Sequence, residues 1–159
     1  MSGTVRPAAA ADAACLLELV DALADYEKLE RPAPDARERL VQDAFGPRPR
    51  FDVLLAEGAD GPAGYALFFE TYSSFRARPT LWLEDLFVRP EQRGAGHGLR
   101  LFRSVAAETH RRGCARMEWN VLRWNQLAID FYARLGAAPL DEWQTYRLDG
   151  PALDAVARA

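Results

Sequence analysis

Residues 81–88 read Leu-Trp-Leu-Glu-Asp-Leu-Phe-Val, so two adjacent carboxylates, Glu84 and Asp85, interrupt an otherwise apolar run. An ionised carboxylate is costly to bury unless it is paired, hydrogen-bonded or open to a wet cleft. The run therefore carries either two satisfied structural acids or a base beside a cleft. In a regular strand successive side chains alternate faces, which predicts Glu84 and Asp85 on opposite sides of a sheet. Close behind comes Arg93-Gly94-Ala95-Gly96-His97-Gly98, and Leu99 opens a helical pattern. Glycines let a backbone approach a ligand, and a helix N-terminus offers open N–H donors and a positive dipole end. That combination suits a pyrophosphate, or is simply a tight turn. Its spacing is neither the dinucleotide fingerprint nor a P-loop. In the third segment, residues 124–136, Asn125 is a natural N-cap and Ala128, Phe131 and Leu135 form a core stripe. Tyr132 lies one step off that stripe, either a boundary tyrosine or a hydroxyl placed for chemistry.

The elements that must position these groups follow from apolar spacing and turn residues. Residues 4–7 read as a short strand ended by Pro7. Asp12 caps a helix with Cys15, Leu16, Leu19, Val20 and Leu23 at helical spacing, and a second helix follows Pro34 and closes at Gly46-Pro47. Residues 51–56 and 64–72 form a hairpin about the turn 58–62, and residues 80–88 a third strand stopped by Pro90. A helix over 98–112, a strand over 114–122, a short helix over 125–135 and a last strand over 143–148 complete the order βααβββαβαβ. That order predicts a single-domain α/β protein over residues 1–159, with a mixed, mostly antiparallel sheet.

Composition narrows the function classes. The chain of 159 residues is 49% apolar and 27% charged, as in an ordinary globular domain, and its net charge of −3 argues against a nucleic-acid binder held by phosphate contacts. No apolar run is long enough to span a membrane, and residues 1–11 lack the pattern of a signal peptide. Cys15 and Cys114 read as buried, reduced thiols of a cytoplasmic protein, and His97 and His110 share no metal-ligand spacing with them. No metal is expected. Lys28 is the only lysine beside nineteen arginines, which reads as the codon bias of a GC-rich genome.

Taken together, the strand 83–88, the turn Arg93-Gly94-Ala95-Gly96-His97-Gly98 and the stretch 125–136 resemble the GNAT superfamily of acyl-CoA N-acyltransferases. The turn meets its Gln/Arg-x-x-Gly-x-Gly/Ala signature, and the resemblance runs from about Thr4 to Leu148. Within the superfamily, Ala24-Asp25-Tyr26-Glu27, residues 65–69, Leu83-Glu84-Asp85-Leu86-Phe87-Val88, Trp124-Asn125 and Phe131-Tyr132 are similar to the spermidine/spermine and thialysine N-acetyltransferase branch. The resemblance implies a GNAT fold with strands splayed at the acyl-CoA site, and acetyl-CoA as co-substrate. The donor's pyrophosphate would rest on the backbone N–H groups of Arg93, Gly94, Ala95, Gly96, His97, Gly98 and Leu99. Its pantetheine arm would lie beside the strand ending at Val88, with Asn125 near the acyl group. It further implies Tyr132 as general acid against the donor, Glu84 as a water-linked base, and an oxyanion donor at the N–H of Phe87 or Val88, where the family's strand bulges.

A free alkyl amine with a pKa near 10.4 is neutral in only about one molecule in 2,500 at pH 7, so a base helps it attack a thioester. Neither cysteine falls on a motif position, which favours direct transfer in a ternary complex over an acyl-enzyme. For the acceptor, Tyr26, Glu27, Glu84 and Asp85 suggest a cationic amine. Ser73-Ser74 replace the acidic residue that polyamine-acetylating members carry after a Thr-Tyr pair, a change similar to the thialysine sub-branch. A small primary amine or lysine-like acceptor and a homodimer are the expectation. A non-catalytic acyl-CoA-binding module, and an enzyme for a bulkier amine such as an antibiotic, an arylamine or a protein N-terminus, stand as alternatives.

Overall fold

The computed structural model describes residues 3–158; Met1, Ser2 and Ala159, at the ends of the expected domain, lie outside them. The elements are β1 (Val5–Pro7), α1 (Ala13–Glu27), α2 (Pro34–Phe45), β2 (Asp52–Gly58), β3 (Gly61–Ser73), β4 (Arg78–Val88), α3 (His97–Arg111), β5 (Arg116–Glu118), α4 (Gln126–Arg134) and α5 (Gly150–Ala157). They fall into two compact units, Met1–Asn120 and Val121–Ala159.

In the first unit the five strands lie side by side in chain order. β1 to β4 pair antiparallel, β1 reaching β2 by way of α1 and α2 while short turns join β2 to β3 and β3 to β4, and β4 pairs with β5 in parallel. A parallel neighbour needs a crossover, and α3 supplies it. The mixed sheet read from the sequence is therefore present. Its two faces carry separate cores. Leu16 and Leu19 of α1 pack with Leu55, Tyr65, Leu67 and Phe87 on one face, while Leu101 and Val105 of α3 pack with Ala66, Phe68, Leu81 and Leu83 on the other. Leu101 and Val105 are four residues apart, so they stack on one side of their helix.

β5 is shorter than the expected 114–122. Its pairing with β4 covers only Thr80–Trp82 against Arg116–Glu118. Beyond Trp82, β4 runs on to Val88 with no strand on that side of the sheet among the described residues. In the second unit, Asn125 caps α4 by accepting the Ala128 N–H at 3.3 Å. The expected strand over 143–148 is absent, and α5 follows instead. Alternating apolar residues favour an extended chain, but a strand exists only where a neighbour takes its backbone groups. None of the five strands does so.

Candidate active site

β4 does not keep one phase. Its register with β3 pairs Leu83 with Phe68 but Asp85 with Leu67, so Glu84 is an extra residue in a β-bulge. The bulge resets the alternation. Leu81 and Leu83 point to the α3 core, whereas Phe87 points to the α1 core. Asp85 joins Phe87 there, because its Oδ2 accepts the hydroxyl of Tyr65, a member of the same core, at 2.9 Å. Trp82 Nε1 donates to Glu84 Oε2 at 2.7 Å, which ties Glu84 to the Trp82 side. Trp82 pairs across the sheet with Phe69, itself packed on the α1 core. The two carboxylates thus share the α1 face. This corrects the expectation of opposite faces, and it moves the bulge from Phe87–Val88 to Glu84.

The surroundings of the two acids differ. Glu84 is exposed and Asp85 half-buried. Burial pushes the Asp85 carboxyl up to about 6, the Tyr65 hydrogen bond opposes that rise, and the charges of Glu84 and Glu27 reinforce it. The Tyr65 phenol is fully buried and lies well above its ordinary value, from burial first and then from Asp85. Glu27, at the end of α1, is also raised by burial. Its neighbour Tyr26 packs against Phe87 with ring centres 6.3 Å apart. Arg93 lies over the other aromatic surface here, its guanidinium 4.5 Å from the Tyr26 ring centre, while its Nε donates to the Val88 carbonyl at 3.1 Å. Tyr26, Glu27, Glu84, Asp85, Phe87 and Arg93 therefore meet at the end of β4. Arg93 straps the glycine turn to that end rather than extending from it.

The turn itself is built as the residues require. Gly94 and Gly96 hold φ of +85° and +80°, the left-handed region that favours glycine. A helix leaves its first N–H groups without internal partners. Here the first bond of this helix runs from Arg100 N–H to Gly96 O at 3.1 Å, so the N–H groups of His97, Gly98 and Leu99 precede the ladder. Ala95 is exposed between the two glycines. The His97 side chain is buried and turned inwards, its Nδ1 accepting from Arg100 at 3.1 Å, with its pKa lowered by burial and by that guanidinium. Only its backbone is available to a ligand.

Ser73 and Ser74 lie elsewhere. Ser73 pairs with Arg78 and Asp85 with Leu67, a separation of six residues along β3, or about 20 Å at strand rise. Ser73 is buried and accepts the Arg76 N–H at 3.3 Å, while Ser74 is exposed at the hairpin tip. Asn125 and Tyr132 belong to the second unit, where the Tyr132 ring meets Phe131 edge-on at 5.3 Å. Among the described residues no group of His, Cys, Asp or Glu could hold a metal. Cys15 and Cys114 are half-buried rather than buried as expected, and that partial burial raises both thiols. Sequence reasoning gave no role to Tyr65 or Trp82. The available signal was a hydroxyl inside the run Gly64-Tyr65-Ala66-Leu67, too apolar to leave it in water.

The chain matches the acetyltransferase (GNAT) family over residues 16–137. It is 35% identical to the thialysine N-epsilon-acetyltransferase of Bos taurus over 164 residues, covering 96% of each protein. It is 43% identical over 133 residues to an L-ornithine N5-acetyltransferase of Arabidopsis thaliana, covering 83% of this chain and 53% of that one. Among solved structures, an integron cassette protein from the mobile metagenome of V. cholerae superposes with a TM-score of 0.82 at 22% identity, over 100% of this chain and 99% of that one, a likeness of fold. The chain therefore belongs to the GNAT acetyltransferases, enzymes that take their acetyl group from acetyl-CoA.

Proposed function

We propose that the protein transfers the acetyl group of acetyl-CoA to the primary amine of a small cationic or lysine-like acceptor. One observation carries this reading: three carboxylates, Glu27, Glu84 and Asp85, and the Tyr26 ring gather on the face of β4 that runs into the glycine turn. Negative charge beside an aromatic face suits an alkylammonium. The turn offers phosphate-binding N–H groups from Arg93 to Leu99, and the unpaired side of β4 up to Phe87 and Val88 suits an extended pantetheine arm. The acetyltransferases of thialysine and ornithine to which the chain is similar support an acceptor with a terminal amine and an α-carboxylate. The family match spans parts of both units, which supports reading residues 1–159 as one GNAT domain.

In the proposed reaction the ammonium gives up a proton, with Glu84 as the water-linked base of the resemblance. The nitrogen lone pair adds to the thioester carbonyl. An N–H of Phe87 or Val88 faces the oxyanion, and Tyr132 protonates the leaving thiolate. Direct transfer is favoured because neither cysteine stands at a motif position. Ser73 and Ser74, distant from Asp85 along β3, enter an acceptor site only if the bound amine or a second copy of the chain reaches the hairpin tip. A cytoplasmic homodimer is part of the same proposal.

Thiol release from acetyl-CoA with lysine, thialysine, ornithine, spermidine and arylamines tests the reading. Lysine-like amines should give the highest kcat/KM. Release with no amine would sink it, and a preference for spermidine would sink the acceptor assignment. Glu84→Gln should lose activity least near pH 9–10, where more of the amine is already neutral. A deficit constant with pH would assign Glu84 to binding instead.

A further inference from the structure

Helix α3 carries an arginine near each end, and the two ends treat them differently. Arg112, just past the C-terminus, is held by three carboxylates, Asp52, Glu70 and Glu108. The helix dipole favours a cation there. Arg100 lies in the first turn, where the dipole and the open N–H groups of His97, Gly98 and Leu99 already set a positive field. Among the described residues no carboxylate pairs with it, and its side-chain hydrogen bond runs from Nη2 to His97 Nδ1 at 3.1 Å. Its Nε is sealed from water with no acceptor. A guanidinium so placed lacks the counter-charge that partial burial calls for.

Its position follows from helix geometry. Arg100 comes four residues after Gly96, on the same face, and a helical side chain leans back towards the N-terminus. The guanidinium therefore lies against the glycine turn. Nη1 is 3.0 Å from where a Cβ on Gly96 would stand, and Nη2 is 2.8 Å from the same point on Gly3. Gly3 and His97 wall one side of the fork, while Gly96 is exposed on the other. Among the described residues Nη1 has no hydrogen-bond partner and is not sealed, so it is open beside Gly96. A guanidinium only donates, so the His97 nitrogen that accepts from it bears no proton and the ring is neutral. Burial and the guanidinium both lower the pKa of His97, which keeps it so.

We propose that Arg100, its fork held by neutral His97, pairs with the diphosphate of the acetyl donor at the glycine turn and so selects phosphate-bearing thioesters over uncharged ones. This rests on the acetyl-transfer reading and deepens it. The end of a helix offers only about half an elementary charge, whereas a diphosphate diester is doubly charged. No side chain from Gly94 to Leu99 adds a full charge, because His97 is neutral and turned inwards. Arg93 is drawn to the Tyr26 ring and the Val88 carbonyl. Arg100 supplies the charge that the backbone lacks, and the ligand supplies the partner that Arg100 lacks.

Calorimetric titration with CoA, in the absence of any amine, tests this. Arg100→Met keeps the stem and removes the fork, and should weaken CoA about 10- to 100-fold. The deficit should shrink as salt rises, because the lost interaction is between charges. Arg100→Lys, with the charge but not the fork, should recover part of it. His97→Leu should weaken CoA as well, and His97→Asn, whose amide oxygen can stand where Nδ1 stood, should restore it. With acetyl-CoA and acetyl-pantetheine as alternative donors to one lysine-like amine, Arg100→Met should lower the ratio of their kcat/KM values by the same factor, through KM rather than kcat. Arg100→Gln takes its place should Arg100→Met not fold. A folded variant that binds CoA within about twofold of the parent would overturn the proposal. So would an equal loss on both thioesters, or a loss that vanishes with 3′-dephospho-CoA, which would move the contact to the 3′-phosphate. Each of these leaves the acetyl-transfer reading standing. A parent protein that does not bind CoA would overturn that reading and this proposal with it.

Discussion

At neutral pH the native protein holds Asp85 ionised in surroundings that favour its neutral form, and that has a cost in stability. Its folded value of about 6 lies above the ordinary 3.8, so the native state binds this proton more tightly than the unfolded chain does. Asp85 therefore removes stability as pH rises from about 4 to about 6, and its penalty is constant above that. Asp85→Asn should gain on the order of 1–3 kcal/mol at pH 7.5, since Asn can still accept from Tyr65, and the gain should vanish near pH 4. Denaturant melts at the two pH values measure it; an equal effect at both would mean that Asp85 is not raised. Glu108 and Asp12 act with the opposite sign. Arginine hydrogen bonds hold both at about 2, Arg111 first for Glu108 and Arg6 for Asp12. Their contribution is present above about 4 and is lost as pH falls towards 2. Tyr132→Phe keeps the ring against Phe131 and removes only the hydroxyl. It should lower kcat about 100-fold with little change in Tm; a rate within threefold of the parent would leave thiolate protonation to another group. At this scale Glu84 and Asp85 were visible in the sequence, because acids in an apolar run need an explanation. Tyr65 was hidden, because a buried aromatic in a strand needs none.

The bulge, the glycine turn and the closeness of β3 to β4 act at the level of elements. A Cβ on Gly64 would overlap the Phe87 carbonyl oxygen and meet Val88 Cα at 2.9 Å. Gly64→Ala should therefore push away the end of β4 that carries Phe87 and Val88, lowering Tm and weakening acetyl-CoA binding together; an unaltered Tm would show that β4 yields freely. Gly96→Val meets both a φ of +80° and Arg100 Nη1, 3.0 Å from the new Cβ. Calorimetric titration should show no acetyl-CoA binding, and an unchanged affinity would reduce the loop to a turn. The positions of β1 to β4, helix α3 and the glycine turn were legible, because apolar period and turn residues fix them locally. The bulge was not, because alternation read in one phase has no place for an extra residue. The segment 143–148 has the pattern of a strand, but no pattern records whether a neighbour exists. Helix α5 did leave a mark: Asp149 at its N-cap and Pro151 in its first turn.

For the whole molecule, the unpaired segment is the guide to assembly. Trp143 and Tyr146 are 72% and 87% exposed, a large apolar area for a chain to leave in water. A second copy that covers it should give a particle of about twice the 17.7 kDa chain mass by light scattering. A monomer at every concentration would remove the dimer from the proposal. Lys28 has a different consequence. It caps α1 in a left-handed conformation with φ of 59°, exposed and directly after Tyr26 and Glu27. Because it is the chain's single lysine, amine-directed chemistry has one side-chain address, beside the cluster proposed to receive the acceptor. A fluorophore coupled there would report on that cluster from a defined point. Stray acetylation of the protein by its own thioester would appear in an intact-mass spectrum as at most one modified side-chain amine, easily told from turnover.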